Sequence, residues 1–238
     1  MFQDKLELKD FEKMDPEYQD LLKRVLTIQA DCEIGGPHLY VEDILPTAPT
    51  KLDQLIVART AAEEVDHYRK VARILGDIGV DVSYVLSWSN QERYVEAFRG
   101  KITTWEDFAV FGLLIDRVGR YQLEEFVDCT YAPLDRILPD VLREEEGHLD
   151  FGTNKTAEMA AKGGESKERV QKAVNYWYAK GLDMFGRSDS KRSERYRYWG
   201  LKRRTNAQAR EEYKKEVDSI IEKIGLQVPD TKNSRLFY

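Results

Sequence analysis

Apolar residues recur every three to four positions through most of this chain, which is the period of an amphipathic helix rather than of a strand. A first helix opens near Pro16, and Leu21, Leu22, Val25, Leu26 and Ile28 keep the rhythm as far as Glu33. Gly35-Gly36-Pro37 should kink or end it, because proline lacks an amide hydrogen and crowds the preceding turn. Helix then resumes over 38–45, before Pro46. A second helix runs from about Lys51 to Gly76, with Ile56, Val57, Thr60, Ala61, Glu64, His67, Val71 and Ile74 on one stripe. Residues 79–103 show no sustained period beyond a short helix around Asn90–Phe98. Thr103 or Thr104 can cap a third helix that reaches about Cys129, with Glu106 and Asp107 favourable in its first turn. A fourth spans about Leu134 to Ala161 and stops at Gly163-Gly164. A fifth covers about 166–185, the stretch 187–204 reads as polar and irregular, and a sixth runs from a Thr205 cap to about Lys223. The pattern predicts an all-α protein. Residues 1–238 would form a single domain: an irregular arm (1–16), a helical bundle (17–161) and a C-terminal helical extension (165–230).

Composition narrows this little. Hydrophobic residues at 42% and charged residues at 34% suit a soluble helical globule. No apolar run is long enough to span a bilayer, and the first residues carry no apolar signal core, so neither membrane span nor leader is expected. Cys32 and Cys129 are too few for a disulfide framework and suit a reducing cytoplasm. A net charge of −6 argues against general nucleic-acid binding.

The chemistry lies in a repeated word. Glu64–His67 and Glu145–His148 are both Glu-x-x-His, and together they use two of the three histidines. Residues three apart on a helix share a face, so each pair can grip one metal ion from a single turn. A carboxylate-bridged two-metal site in a helical bundle needs one more carboxylate from each of two further helices. Asp116 lies 29 residues before Glu145, and Glu33 lies 31 before Glu64, as expected of two similar antiparallel hairpins. Glu124 and Glu125, 21 and 20 residues before Glu145, would require a much shorter hairpin. Gly112 and Gly119 flank Asp116 and open space beside it at a cost of about 1 kcal/mol each in helix stability. The candidate ligands are therefore Glu33, Glu64, His67, Asp116, Glu145 and His148, and the four carboxylates balance two divalent ions. Carboxylate with imidazole suits iron, or manganese, better than zinc or copper. His38 follows the Gly-Gly-Pro break and is expected at the surface or behind the ligands.

Around these residues the chain resembles the catalytic subunits of bacterial ring-1,2-phenylacetyl-CoA epoxidases. The resemblance rests on Cys32-Glu33-Ile34-Gly35, the Glu64–His67 helix, TWEDFAVFGLLID ending at Asp116, and YAPLDRILPDVLREEEGH ending at His148. DMFG at 183–186, LKRRTN at 201–206 and VPD at 228–230 extend it over about residues 20–230. It implies a ferritin-like four-helix bundle whose di-iron centre, held by the six residues named, activates O₂ and epoxidises an aromatic acyl-CoA. It also implies a ferritin-like partner subunit, with electrons from an NADPH-dependent flavin and iron–sulfur reductase. Three departures stand out: Thr60 occupies the position where the family usually has lysine, the Glu33–Glu64 connection is longer, and the chain continues only briefly after the VPD. They bear on the substrate more than on the metal.

The alternatives are a ferritin-like ferroxidase or oxidase, a stand-alone di-iron oxygenase on a different substrate, a homo-oligomer, a non-catalytic scaffold, or a radical generator using Tyr68 or Tyr121. Residues 191–204 carry seven basic side chains, interleaved with Tyr196, Tyr198 and Trp199, against the single acid Glu194. That stretch reads as a solvated face, a nucleic-acid contact, a partner contact, or an anion site in which Lys202, Arg203 and Arg204 meet the phosphates of a CoA-like substrate.

Overall fold

The computed structural model describes residues 2–232. Helix α1 (Pro16–Tyr40) starts where the Asp15 carboxylate accepts the Glu17 amide, with proline in the first turn where its missing donor costs nothing. It runs unbroken through Pro37, contrary to the expected break. Burial is the reason: residues 34–37 are packed on all sides, and a Cβ on Gly35 would lie 2.8 Å from the Phe98 ring. Tertiary packing outweighs one lost backbone bond.

Helix α2 (Lys51–Asp77) is capped by the Thr50 hydroxyl, which accepts from the Asp53 amide at 3.1 Å. The expected third helix is α3 (Trp105–Phe111), capped by Thr104, which passes through a π turn (Gly112–Asp116) into α4 (Arg117–Glu124). It ends earlier than expected, in a turn where Asp128 adopts φ 59°. The expected fourth helix is split into a short α5 (Ala132–Asp135) and α6 (Leu138–Ala161), since Pro139 fits only a first turn. Helices α7 (Gly164–Asp183), α8 (Lys191–Tyr198) and α9 (Asn206–Lys223) follow, the last with the expected Thr205 cap in a reciprocal box with Gln208. Helix α8 lies where an irregular stretch was expected. It buries only Ser193 and Tyr196, too little apolar surface to leave a period in the sequence.

Residues 79–103 form three 3₁₀ turns, not one short α-helix. Arg93, fully buried, pins them to α1 by donating to Asp31 Oδ1 (2.7 Å), the Val85 carbonyl (3.0 Å) and His38 Nδ1. The third histidine thus serves a structural clasp. The N-terminal arm is docked as well: Leu6 bridges Tyr131, and Phe11 is buried in a 3₁₀ turn at Leu8–Lys13.

Helix α1 pairs with α2, and α3–α4 pairs with α6, giving a four-helix bundle flanked by α7 and α9. Two apolar clusters fill its ends, one around Phe111, Trp177 and Tyr213, the other around Leu26, Leu75 and Phe126. The charged residues of interest lie between them. Among the described residues there is no strand, and no helix is long and apolar enough to cross a membrane. The all-α, ferritin-like bundle read from the sequence is borne out.

Candidate metal centre

Glu33, Glu64, His67 and Glu145 each offer a ligand atom, all within 4.8 Å of one another, and all four residues are buried. The arrangement follows from helix geometry, since each Glu-x-x-His turns both side chains to the bundle axis. Glu64 spans two imidazoles: its Oε1 lies 3.3 Å from His148 Nδ1 and its Oε2 3.7 Å from His67 Nδ1. Glu145 mirrors it, with Oε1 3.4 Å from His67 Nδ1 and Oε2 3.7 Å from His148 Nδ1. Glu33 Oε2 lies 3.5 Å from His67 Nδ1, on that imidazole's side. Asp116 lines the same cavity, together with Glu33, Glu64 and Glu145. The six residues selected by spacing therefore converge on one place.

Both Nδ1 atoms are buried without a hydrogen-bond partner, although carboxylates surround them. Buried nitrogens are normally satisfied, so two such atoms facing shared carboxylates fit a pair of metal ions. The charge balance agrees. Burial pushes the Glu33 carboxyl up to about 8, and the charges of Glu64 and Glu145 add to that. Asp116 is raised well above the carboxylate range by burial and then by Glu64 and Glu145. Burial disfavours a charged His148, but the negative charges of the nearby Glu145 and Glu64 carboxylates outweigh it and lift the imidazole to about 12. His67 is raised for the same reason by Glu145, Glu33 and Glu64. The pocket calls for positive charge, and the polypeptide draws it from its imidazoles.

The outward nitrogens hold a feature that sequence reasoning missed. His67 Nε2 lies 2.8 Å from Glu144 Oε2, and His148 Nε2 lies 3.0 Å from Glu63 Oε2. Each motif is thus Glu-Glu-x-x-His, and the leading glutamate serves the other motif's histidine. The doubled Glu63-Glu64 and Glu144-Glu145 were the available signal. Such carboxylates fix the tautomer and aim the inner nitrogen. Gln29, one turn before Glu33, similarly donates to Glu33 Oε1 at 2.6 Å.

The rivals of Asp116 lie elsewhere. Glu124 pairs with Arg120 and Arg204, and buried Glu125 accepts from the Arg203 and Arg204 amides and the Arg204 guanidinium. Tyr68 points at the Val82 carbonyl and Tyr121 at Glu216. Thr60 is buried one turn before Glu64.

A cavity of ≈ 50 Å³ borders the candidate ligands, and a cleft of ≈ 260 Å³ lies outside it. They share Gln29, Cys32, Gln122 and Met184 as walls. Arg24, Arg192, Ser193, Lys202 and Asn206 line the outer cleft. Lys202 donates to Gln122 Oε1 at 2.8 Å, and burial lowers its ammonium pKa. Arg203 is exposed, and Arg204 is engaged with Glu124, Glu125 and Glu212, so of the three only Lys202 lines the cleft.

Residues 5–236 match the family described as phenylacetic acid catabolic protein. The chain belongs to that family. The family resemblance read from the sequence is thereby borne out. Among curated relatives, a 1,2-phenylacetyl-CoA epoxidase subunit from Escherichia coli K12 is 27% identical over 218 residues, covering 90% of this chain and 70% of the relative. Benzoyl-CoA oxygenase component B from Aromatoleum evansii is 26% identical over 220 residues, covering 79% of this chain and 46% of the relative. Among solved structures, a point mutant of an R2-like ligand-binding oxidase, with an aerobically reconstituted Mn/Fe cofactor, superposes with a TM-score of 0.67. The match has 13% identity and covers 95% of this chain and 87% of that one, a likeness of fold.

Proposed function

We propose that this chain is the di-iron subunit of an oxygenase acting on an aromatic acyl-CoA thioester. Glu33 and His67 would hold one ion, Asp116 and His148 the other, with Glu64 and Glu145 shared. The observation that carries the reading is the pair of orphaned Nδ1 atoms, each facing both Glu64 and Glu145. Bound there, two redox-active ions supply O₂ activation; manganese fits the same donors. The chain's own part is to hold them, exclude water with two flanking apolar clusters, and place the ring.

Size decides how the ring enters. A dry cavity of roughly 150 Å³ takes benzene, and the inner cavity of ≈ 50 Å³ does not. An aryl group must therefore displace the shared wall, and Met184, unbranched and adaptable, moves most cheaply. The acyl-CoA chain would then lie in the outer cleft, its anionic end near Arg24, Arg192 and Lys202. Ser193 Oγ, buried there without a partner, is one donor for it. Such a cleft argues against a ferroxidase, which needs no organic substrate.

Both relatives are named as one part of a larger enzyme, the first as a subunit, the second as a component. By extension this chain works with partner subunits and an electron-donating reductase in the cytoplasm, as one domain with a bundle and a C-terminal extension. The test is anaerobic Fe(II) loading followed by O₂ and reductant, with phenylacetyl-CoA and benzoyl-CoA in parallel. Two irons per chain and a product heavier by oxygen support the reading. O₂ uptake with iron mineralisation and no oxygenated product would replace it with the ferroxidase.

A further inference from the structure

Asp116 ends a π turn, a single-turn departure from the α-helical bonding pattern, and each carbonyl, with two lone pairs, can accept an outside donor as well as a backbone amide. Two of its carbonyls receive one. The Arg117 Nε donates to the Leu113 carbonyl at 3.1 Å, and the Tyr213 hydroxyl donates to the Leu114 carbonyl at 3.0 Å. Tyr213 comes from α9, outside the four bundle helices, and is fully buried. Its hydroxyl fills a notch kept by Gly181, where a Cβ would lie 2.7 Å from it. Arg117 is itself held from two sides, by Thr153 Oγ1 at 3.0 Å and by Glu216, also on α9. Glu216 further gathers Arg120 and the Tyr121 hydroxyl (2.7 Å), so α4 is fastened to α9 over a full turn. On the opposite face the turn is seated against α6. A Cβ on Gly152 would lie 2.6 Å from the Gly112 carbonyl carbon and the Leu113 nitrogen.

The geometry points to α9 as a positioning element for the metal centre. Tyr213 directly, and Glu216 through Arg117, hold the π turn in the register that presents Asp116 to the cavity. This rests on Asp116 being a ligand, as proposed above. Neither residue touches the metal cavity, so their effect reaches the ions only through the backbone of the turn.

The test is an anaerobic Co(II) titration of the full chain, followed by d–d absorption, with thermal melting alongside. In Tyr213→Phe the second Co(II) step should weaken by at least about tenfold, the range for a lost supporting contact, while the first step holds. Val217→Ala shortens a buried α9 side chain in the apolar cluster that, being valine, donates no hydrogen bond to the π turn. It should lower the melting temperature and leave both steps unchanged. Glu216→Gln loosens Arg117 without emptying the core, and should weaken the second step even if Tyr213→Phe does not fold. Asp116→Asn, run in parallel, should lose the second step. If Asp116→Asn leaves both steps intact, the ligand assignment fails and this inference with it. If Asp116→Asn loses the step but Glu216→Gln and Tyr213→Phe match Val217→Ala, the ligand assignment stands and the positioning role is overturned.

Discussion

Helices α2 and α6 do the same thing in the same way, whereas α1 and α3–α4 reach a common end by different means. The first two carry one word, Glu-Glu-x-x-His, in uninterrupted helix, and exchange Glu63–His148 and Glu144–His67 contacts crosswise. The outer carboxylates have no such symmetry. Glu33 stands on a helix that runs straight through a proline and is steadied by Gln29. Asp116 stands on a π turn held by residues from α4, α6 and α9. Local repetition places the two central carboxylates, and tertiary contacts place the outer ones.

The largest break in this comparison comes from the shared carboxylates. Glu64→Gln or Glu145→Gln should strip both ions, since each lies between both imidazoles; metal analysis would show content falling toward zero. Asp116→Asn should cost only one ion, which separates shared from outer ligands. The supporting glutamates come next. Glu63→Gln and Glu144→Gln should each weaken metal affinity by about 10–100-fold, and by similar amounts if the crosswise pairing is equivalent. A Mn(II) titration measures both.

Two glycines on α6 sharpen the contrast further. Gly152 abuts backbone, so Gly152→Ala forces the helices apart and should cost about 1–3 kcal/mol, or several degrees of melting temperature. Gly147 has nothing within 4 Å. Gly147→Ala should therefore stabilise by up to about 1 kcal/mol through helix propensity. The same substitution five residues apart on one helix should have opposite signs in a thermal melt.

The smallest effect is on protons. His67, His148 and Glu33 have pKa values raised in the polypeptide, so at neutral pH they hold protons that a metal must displace, and Asp116 is shifted in the same direction. Metal affinity should rise with pH across the neutral range, with proton release measurable in weakly buffered solution. A pH-independent affinity would contradict that charge balance.

Much of the candidate site was legible because helical periodicity and hairpin length are local arithmetic. Glu33 and Asp116 could be selected from spacing, the four carboxylates line one cavity, and both imidazoles face Glu64 and Glu145. The crosswise glutamates were not, because their partners are 77 and 85 residues away. Of the LKRRTN residues, spacing could not tell that Lys202 lines the cleft while Arg204 is engaged by Glu124, Glu125 and Glu212. Nor could it show α8, whose stability comes from two buried side chains rather than from a stripe.

The sequence by itself determined the long helices and the residue types able to bind metal, because a period of 3.6 residues and a Glu-x-x-His word act over single turns. It also determined the family. Only the tertiary structure decided which imidazole faces which carboxylate, why α1 survives Pro37, and how the turn bearing Asp116 is held. Those outcomes depend on contacts between helices far apart in the chain, where packing energy overrides local preference.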